Sequence, residues 1–257
     1  MSDTKTFVAN APTWVDLSTA DPQGARKYYG KLFGWKLDDP RADAGGYMLA
    51  TLGGKNIAGM GPLQDPSGPS AWMVYIGTHD ADGIAKKVEA AGGKVIAPAF
   101  DVLTSGRMAV YQDPSGAFIS VWEPKEMQGA DVMNQPNTFA WAELSARGFA
   151  KAKAFYMDVF GWGEKTTPMG EGQPDYTEFK LDDESIAGGM EMNSMVPEQV
   201  PSYWLVYFGV DDVDKAFQKA VDEGGHEMLA PQDFPGGRFA IVSDPQGAAF
   251  GLMKMEQ

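Results

Sequence analysis

Residues 14–35 read WVDLSTADPQGARKYYGKLFGW, and residues 141–162 read WAELSARGFAKAKAFYMDVFGW. Trp14, Tyr29, Gly34 and Trp35 return as Trp141, Tyr156, Gly161 and Trp162 at a constant offset. The echo continues outward in the same order. NIAGM (56–60) answers SIAGGM (185–190), and WMVYIGTHDADGIAKKVEAAGGKVIAP (72–98) answers WLVYFGVDDVDKAFQKAVDEGGHEMLAP (204–231). GRMAVYQDPSGAFISVW (106–122) answers GRFAIVSDPQGAAFGLM (237–253). Repeats in one order over nearly the whole chain mean a tandem duplication, and the repeat unit is then the unit of folding. The polar stretch 126–137 separates a first domain over 8–125 from a second over 138–257.

Within each copy the pattern is strand, helix and short strands, twice over. Residues 14–18 alternate like a strand. Asp21 and Pro22 open a helix as cap and first residue, and Gly34 ends it. Ala25, Tyr28, Tyr29, Leu32 and Phe33 share its apolar face. Gly53-Gly54 marks a hairpin between strands at 47–52 and 55–60. A strand at 72–77, a helix at 82–91 and strands at 95–97, 107–112 and 117–122 complete the copy. The expected fold is α+β, with four βαβββ modules forming two cup-shaped sheets.

Composition narrows the function. The 257 residues carry 21 basic and 35 acidic side chains, a net charge of −14. Most of that excess lies in the second copy, where a solvated face is its simplest reading. An acidic chain repels phosphate backbones and anionic lipid, so neither nucleic acid nor a membrane is an expected partner. No apolar run is long enough to span a bilayer, and MSDTKTFVANAPTW at the start lacks a basic region followed by an apolar block. A cytoplasmic protein is expected. Zero cysteines remove disulfides, thiolate metal sites and a cysteine nucleophile. Neither GxxxxGK[ST] nor GxSxG occurs, and no GxGxxG joins a strand to a helix.

The ordered motifs, FYxxxFGW after the first helix and GRxAxxxDPxGAxF before the last strand, resemble the vicinal-oxygen-chelate superfamily of glyoxalases, extradiol dioxygenases and bleomycin-resistance proteins. More narrowly, the chain is similar to the two-domain actinobacterial glyoxalase-like subgroup, also called hydroxylases, with its mycobacterial culture-filtrate antigen. The resemblance implies a cavity inside each cup. It also implies that metal-dependent members place His and Glu ligands at positions matching Trp14 and Trp141, Trp72 or Met73, Trp204 or Leu205, and Ser120 and Gly251. None of these residues is His, Asp or Glu, and a hard divalent ion needs oxygen or imidazole donors. The two histidines, His79 and His226, are expected in exposed loops. No metal and no cofactor are therefore expected.

On the opening strands Trp14, Asp16 and Ser18 share one face, as do Trp141, Glu143 and Ser145. A desolvated carboxylate is a usable general base, so Asp16 and Glu143 are the catalytic candidates. Trp14, Ser18, Trp72, Arg107, Ser120, Trp141, Ser145, Trp204 and Arg238 are the ligand-binding candidates. Arg107 and Arg238 either hold an anionic ligand or close the cups as ion pairs with Asp16 and Glu143. The tryptophans either fill the cups or line apolar pockets whose walls the methionines make adaptable. Three functions follow. The first is a metal-free protein that binds an apolar or aromatic small molecule for resistance, sequestration or sensing. The second is a cofactor-independent isomerase, lyase or hydroxylase-like enzyme with a cavity carboxylate as base. The third, and least favoured, is a metal-dependent lyase or dioxygenase. The duplication is compatible with a monomer that mimics a dimer of single-copy relatives, or with a homodimer.

Overall fold

The computed structural model describes residues 7–170 and 172–255. Residues 1–6 of the MSDTKTFVANAPTW stretch, Glu171, and residues 256–257 of the expected second domain lie outside that range.

The first copy runs β1 (Pro12–Thr19), α1 (Pro22–Phe33), β2 (Lys36–Leu37), β3 (Met48–Leu52), β4 (Lys55–Pro62), β5 (Ala71–Gly77), α2 (Ala81–Ala90), β6 (Lys94–Val102), β7 (Gly106–Gln112) and β8 (Phe118–Pro124). The second repeats the order as β9 (Phe139–Ala146), α3 (Phe149–Phe160), β10 (Gly163–Thr167), β11 (Tyr176–Leu181), β12 (Glu184–Glu191), β13 (Tyr203–Gly209), α4 (Val213–Asp222), β14 (His226–Phe234), β15 (Gly237–Ser243) and β16 (Ala249–Met255). Each copy forms one eight-stranded sheet, in the orders β2-β3-β4-β1-β5-β8-β7-β6 and β10-β11-β12-β9-β13-β16-β15-β14. The two modules of a copy join through antiparallel pairs of their opening strands, β1 with β5 and β9 with β13. This is the tandem pair of cups expected from the repeat.

Local chemistry sets the helix starts. Asp21 caps α1 by accepting from the Gly24 N–H at 3.0 Å, and Gly34 ends it in the left-handed region at φ 75°. In the second copy Gly148 replaces the capping aspartate and offers no side chain. Glu191 of β12 takes over, accepting from the Gly148 and Phe149 N–H groups at 2.8 Å each. The first N–H groups of a helix must find an acceptor, and a neighbouring strand supplies it here.

One apolar core, built from the helix-bearing faces of both sheets, runs through both copies. Smaller clusters line the opposite faces, around Trp14, Tyr75 and Trp122 in one copy and Leu205, Tyr207 and Met253 in the other. Each copy therefore buries its helices against its twin and turns its concave face outward.

The seam is sealed by the most recognisable motif residues. Trp72 Nε1 donates to the Tyr29 hydroxyl (3.0 Å), which donates to Asp244 of the second copy (3.1 Å). Trp204 Nε1 donates to the Tyr156 hydroxyl (2.7 Å), which donates to Asp113 of the first (3.0 Å). Each aspartate uses its other oxygen to hold its own DPxG turn, accepting from the Ser115 and Ala117 amides or the Gln246 and Ala248 amides. Trp35 and Trp162 complete the exchange by donating to the Asn137 and Asn10 carbonyls. Among the described residues no helix is long and apolar enough to cross a membrane.

Candidate functional site

In the first cup, strand alternation puts Trp14 and Asp16 of β1 on the concave face, with Met73 opposite Asp16 on β5. Tyr75 and Tyr47 donate their hydroxyls to the same oxygen of Asp16, at 2.8 and 3.1 Å. Trp14 Nε1 donates to Tyr47 at 3.1 Å, so an indole orients the phenol that orients the carboxylate. The second cup repeats the device. Tyr207 donates to Glu143 at 3.1 Å, the Tyr176 hydroxyl lies beside the same carboxylate, and Trp141 Nε1 donates to Tyr176 at 2.9 Å.

Glycines make room for these phenols. A Cβ on Gly59 would overlap the Tyr47 hydroxyl, and one on Gly188 would overlap that of Tyr176. The echo of NIAGM in SIAGGM is thus a requirement for a bare patch of β4 and β12 on which a tyrosine can lie.

Burial lifts both carboxyls. Asp16 is pushed up to about 6 by desolvation, against the opposing pull of the Tyr75 and Tyr47 hydrogen bonds. Glu143 is raised for the same reason, against Tyr176 and Tyr207. Among the described residues no cation is paired with either carboxyl. In a low-dielectric recess a lone carboxylate holds its proton more tightly.

Four expected site residues lie elsewhere. Trp72 and Trp204 point to the opposite face of β5 and β13, into the shared core; Met73 and Leu205 hold the cup positions. Arg107 does not meet Asp16: it pairs with Asp82 of α2 (2.8 Å) and Asp101 of β6 (3.1 Å). Arg238 likewise pairs with Asp214 (2.8 Å) and Asp233 (2.7 Å), not Glu143. Both guanidiniums sit at strand starts beside the first turn of the preceding helix of their module, where acidic residues already wait. Ser18, Ser120 and Ser145 share the cup faces with Trp14 and Trp141. The Ser120 hydroxyl is buried beside Tyr75 without a hydrogen bond of good geometry, and Ser145 lies beside the Tyr203 hydroxyl. His79 and His226 are exposed, His226 on β14 itself.

The tyrosines Tyr47, Tyr75, Tyr176 and Tyr207 are the site residues that sequence reasoning passed over. Period-two counting from Met73 to Tyr75 and from Leu205 to Tyr207 would have placed two of them on the cup faces.

The cups differ in exposure. Trp14 is 2% and Asp16 8% exposed, whereas Trp141 and Glu143 are only half-buried. In the second cup the half-buried aromatics Trp141, Tyr203, Phe234 and Phe239 pack against Leu205, Tyr207 and Met253, and Tyr207 bonds Glu143. Two concavities, of about 430 and 240 Å³, lie at the seam beside Lys219 and its counterpart Lys87.

The donor set does not suit a divalent ion. Each cup offers one carboxylate already engaged by a tyrosine hydroxyl, among indole, thioether and phenyl groups. Among the described residues no three His, Cys, Asp or Glu side chains converge.

The sequence matches the model of the Glyoxalase/Bleomycin resistance protein/Dioxygenase superfamily over residues 12–121 and again over 138–252. It is 41% identical over 249 residues to "Putative glyoxylase CFP32" of Mycobacterium tuberculosis, covering 95% of this chain and 94% of that one. It is 37% identical over 268 residues to "Anthracycline biosynthesis protein DnrV" of Streptomyces peucetius, covering 98% and 95%. Among solved structures, the Mn(II)-bound glyoxalase from Novosphingobium aromaticivorans superposes with a TM-score of 0.66 at 15% identity, over 95% of this chain and 82% of that one. The 2,3-dioxygenase LapB from Pseudomonas sp. KL28 gives 0.66 at 13%, over 95% and 91%. Two family matches that together span both sheets settle the assignment: the chain belongs to the Glyoxalase/Bleomycin resistance protein/Dioxygenase superfamily.

Proposed function

We propose that this chain is a metal-independent member of the superfamily that binds a flat, apolar or aromatic small molecule in an outward-facing cup. The observation that carries the reading is the set of half-buried aromatics, Trp141, Tyr203, Phe234 and Phe239, packed on the cup cluster whose Tyr207 holds Glu143. Aromatic faces supply stacking and burial, and a few fixed polar groups supply orientation. Two relatives are named for anthracycline biosynthesis, and an anthracycline is a fused aromatic ring system of the shape such a recess accepts. Among the described residues no group of His, Cys, Asp or Glu side chains suited to a divalent ion stands in either cup. A resistance, sequestration or sensing role requires no more than this binding.

Native mass spectrometry on gently purified, chelator-washed protein tests the reading. The expected masses are the bare chain and the chain plus an organic molecule. A stoichiometric divalent ion that survives the chelator would overturn metal independence.

A second reading keeps the same recess and adds turnover. Its support is the half-buried Glu143, whose carboxyl desolvation raises and so makes a stronger general base. Under it, Glu143→Gln lowers kcat on a bound substrate by about 10²–10⁴, far more than it lowers affinity. Equal losses in both would leave only binding.

A further inference from the structure

The segment joining the two copies does more than connect them. After β8 the chain turns back across its own copy. Trp122 Nε1 donates to the Met127 carbonyl (2.9 Å), and Thr13 donates to the Gln128 carbonyl. The Ala130 N–H donates to the Thr13 carbonyl (2.9 Å), and the Asp131 N–H to that of Asn56 (2.7 Å). Asp131 returns the bond by accepting from the Asn56 N–H at 2.6 Å. Ala130 is buried in the concave cluster of Trp14, Tyr75 and Trp122, with Met127 and Met133 packed against it. Gly129, at φ 115°, sits so close to Thr13 that a Cβ would overlap its hydroxyl. The strap is therefore seated by backbone bonds to β1 and β4 and by apolar contacts inside the cup. Nothing among the described residues lies across the second cup in this way, and Trp141, Glu143 and Tyr203 stay half-buried there.

The polar chemistry of the second cup narrows what enters it. Glu143 accepts from Tyr207, with the Tyr176 hydroxyl beside it, and among the described residues no cation pairs with it; Arg238 is engaged by Asp214 and Asp233. An anionic ligand would meet a carboxylate with no compensating charge, which is unfavourable in a partly desolvated recess. A neutral or cationic ligand with an O–H or N–H donor would instead complete the carboxylate's hydrogen bonding.

We infer that the strap 127–133 is the resident occupant of the first cup, and that the second cup alone takes a ligand: one flat aromatic, neutral or cationic, that donates a hydrogen bond to Glu143. This rests on the binding reading above and specifies its site, stoichiometry and ligand class.

The test titrates the full chain with neutral 1,8-dihydroxyanthraquinone and with its 3-carboxylate, by calorimetry at pH 7.5. Hydrogen exchange is followed over 127–133 with and without the neutral probe. The expected result is one equivalent of the neutral probe, at least tenfold weaker binding of the carboxylate, and at least tenfold loss in Glu143→Gln. The Ala130 and Asp131 amides should be protected equally in the free and loaded protein. Two equivalents per chain, equal affinity for both probes, or unchanged affinity in Glu143→Gln would overturn the inference. Faster exchange at Ala130 on binding would also overturn it, since it means that the probe displaces the strap. Failure of both probes to bind would count against the binding reading itself, while the exchange of the free protein would still decide whether the strap is seated.

Discussion

Asp16 is a carboxylate whose burial works against it. Two phenols donate to it, and desolvation outweighs their hydrogen bonds, so its pKa rises to about 6. The folded state then binds the Asp16 proton more tightly than the unfolded chain does. This group's contribution to stability is greatest below about pH 4 and is lost as pH rises towards about 6. Asp16→Asn keeps the shape and removes the buried charge. The variant is expected to exceed the wild type by roughly 1–3 kcal/mol at pH 7, with the difference vanishing near pH 4. Thermal melts of both proteins across that range check it; a variant less stable at pH 7 would mean that the carboxylate is a net stabiliser. At Glu143 the same shift has a functional sign. Protonation removes the charged acceptor, so affinity for a hydroxyl-bearing aromatic should fall as pH drops through the raised Glu143 pKa. An affinity flat from pH 7.5 to 4.5 would exclude the carboxylate as the anchor.

At the scale of elements, strands and helices were legible because their signals are local. Asp21 and Gly34 act as cap and stop where the sequence places them, and the repeat doubles every reading. What was not legible was the side of the sheet on which a residue of β5 falls. Trp72 and Met73 are neighbours, so a one-residue ambiguity moves a tryptophan from cup to core, as it does for any strand. The arginine partners were hidden for a related reason: Asp82 and Asp214 reach Arg107 and Arg238 only after α2 and α4 pack beside β7 and β15. The strap was read as a polar linker because its bonds use backbone groups, which composition does not report. The bare glycine on β12 gives a direct test. Gly188→Ala places a methyl where the Tyr176 hydroxyl lies, so the phenol must leave Glu143. The expected result is a loss of about 1–3 kcal/mol in stability, together with loss of probe binding. Unchanged binding would detach Tyr176 from the site.

Across the whole molecule, the duplication has made one folding unit out of two cups. The core is continuous, and each copy's FY tyrosine closes on the other copy's DPxG aspartate. These residues are therefore the mark of the seam, and their prominence in the repeat reports packing between copies and not chemistry in the cups. Removing one hydroxyl leaves a buried aspartate oxygen and an indole N–H without their shared partner, which costs about 1–3 kcal/mol for each unsatisfied group. Tyr156→Phe should accordingly destabilise the first copy, where Asp113 resides, as much as the second, where the substitution sits. The wild type and this variant should each unfold in a single transition, with calorimetric and van't Hoff enthalpies equal. Hydrogen exchange should show the amides of β7 and β15 losing protection together in Tyr156→Phe. If the variant instead unfolded in two steps, with β9–β16 melting before β1–β8, the copies would be independent domains in contact and the seam would hold them without coupling them.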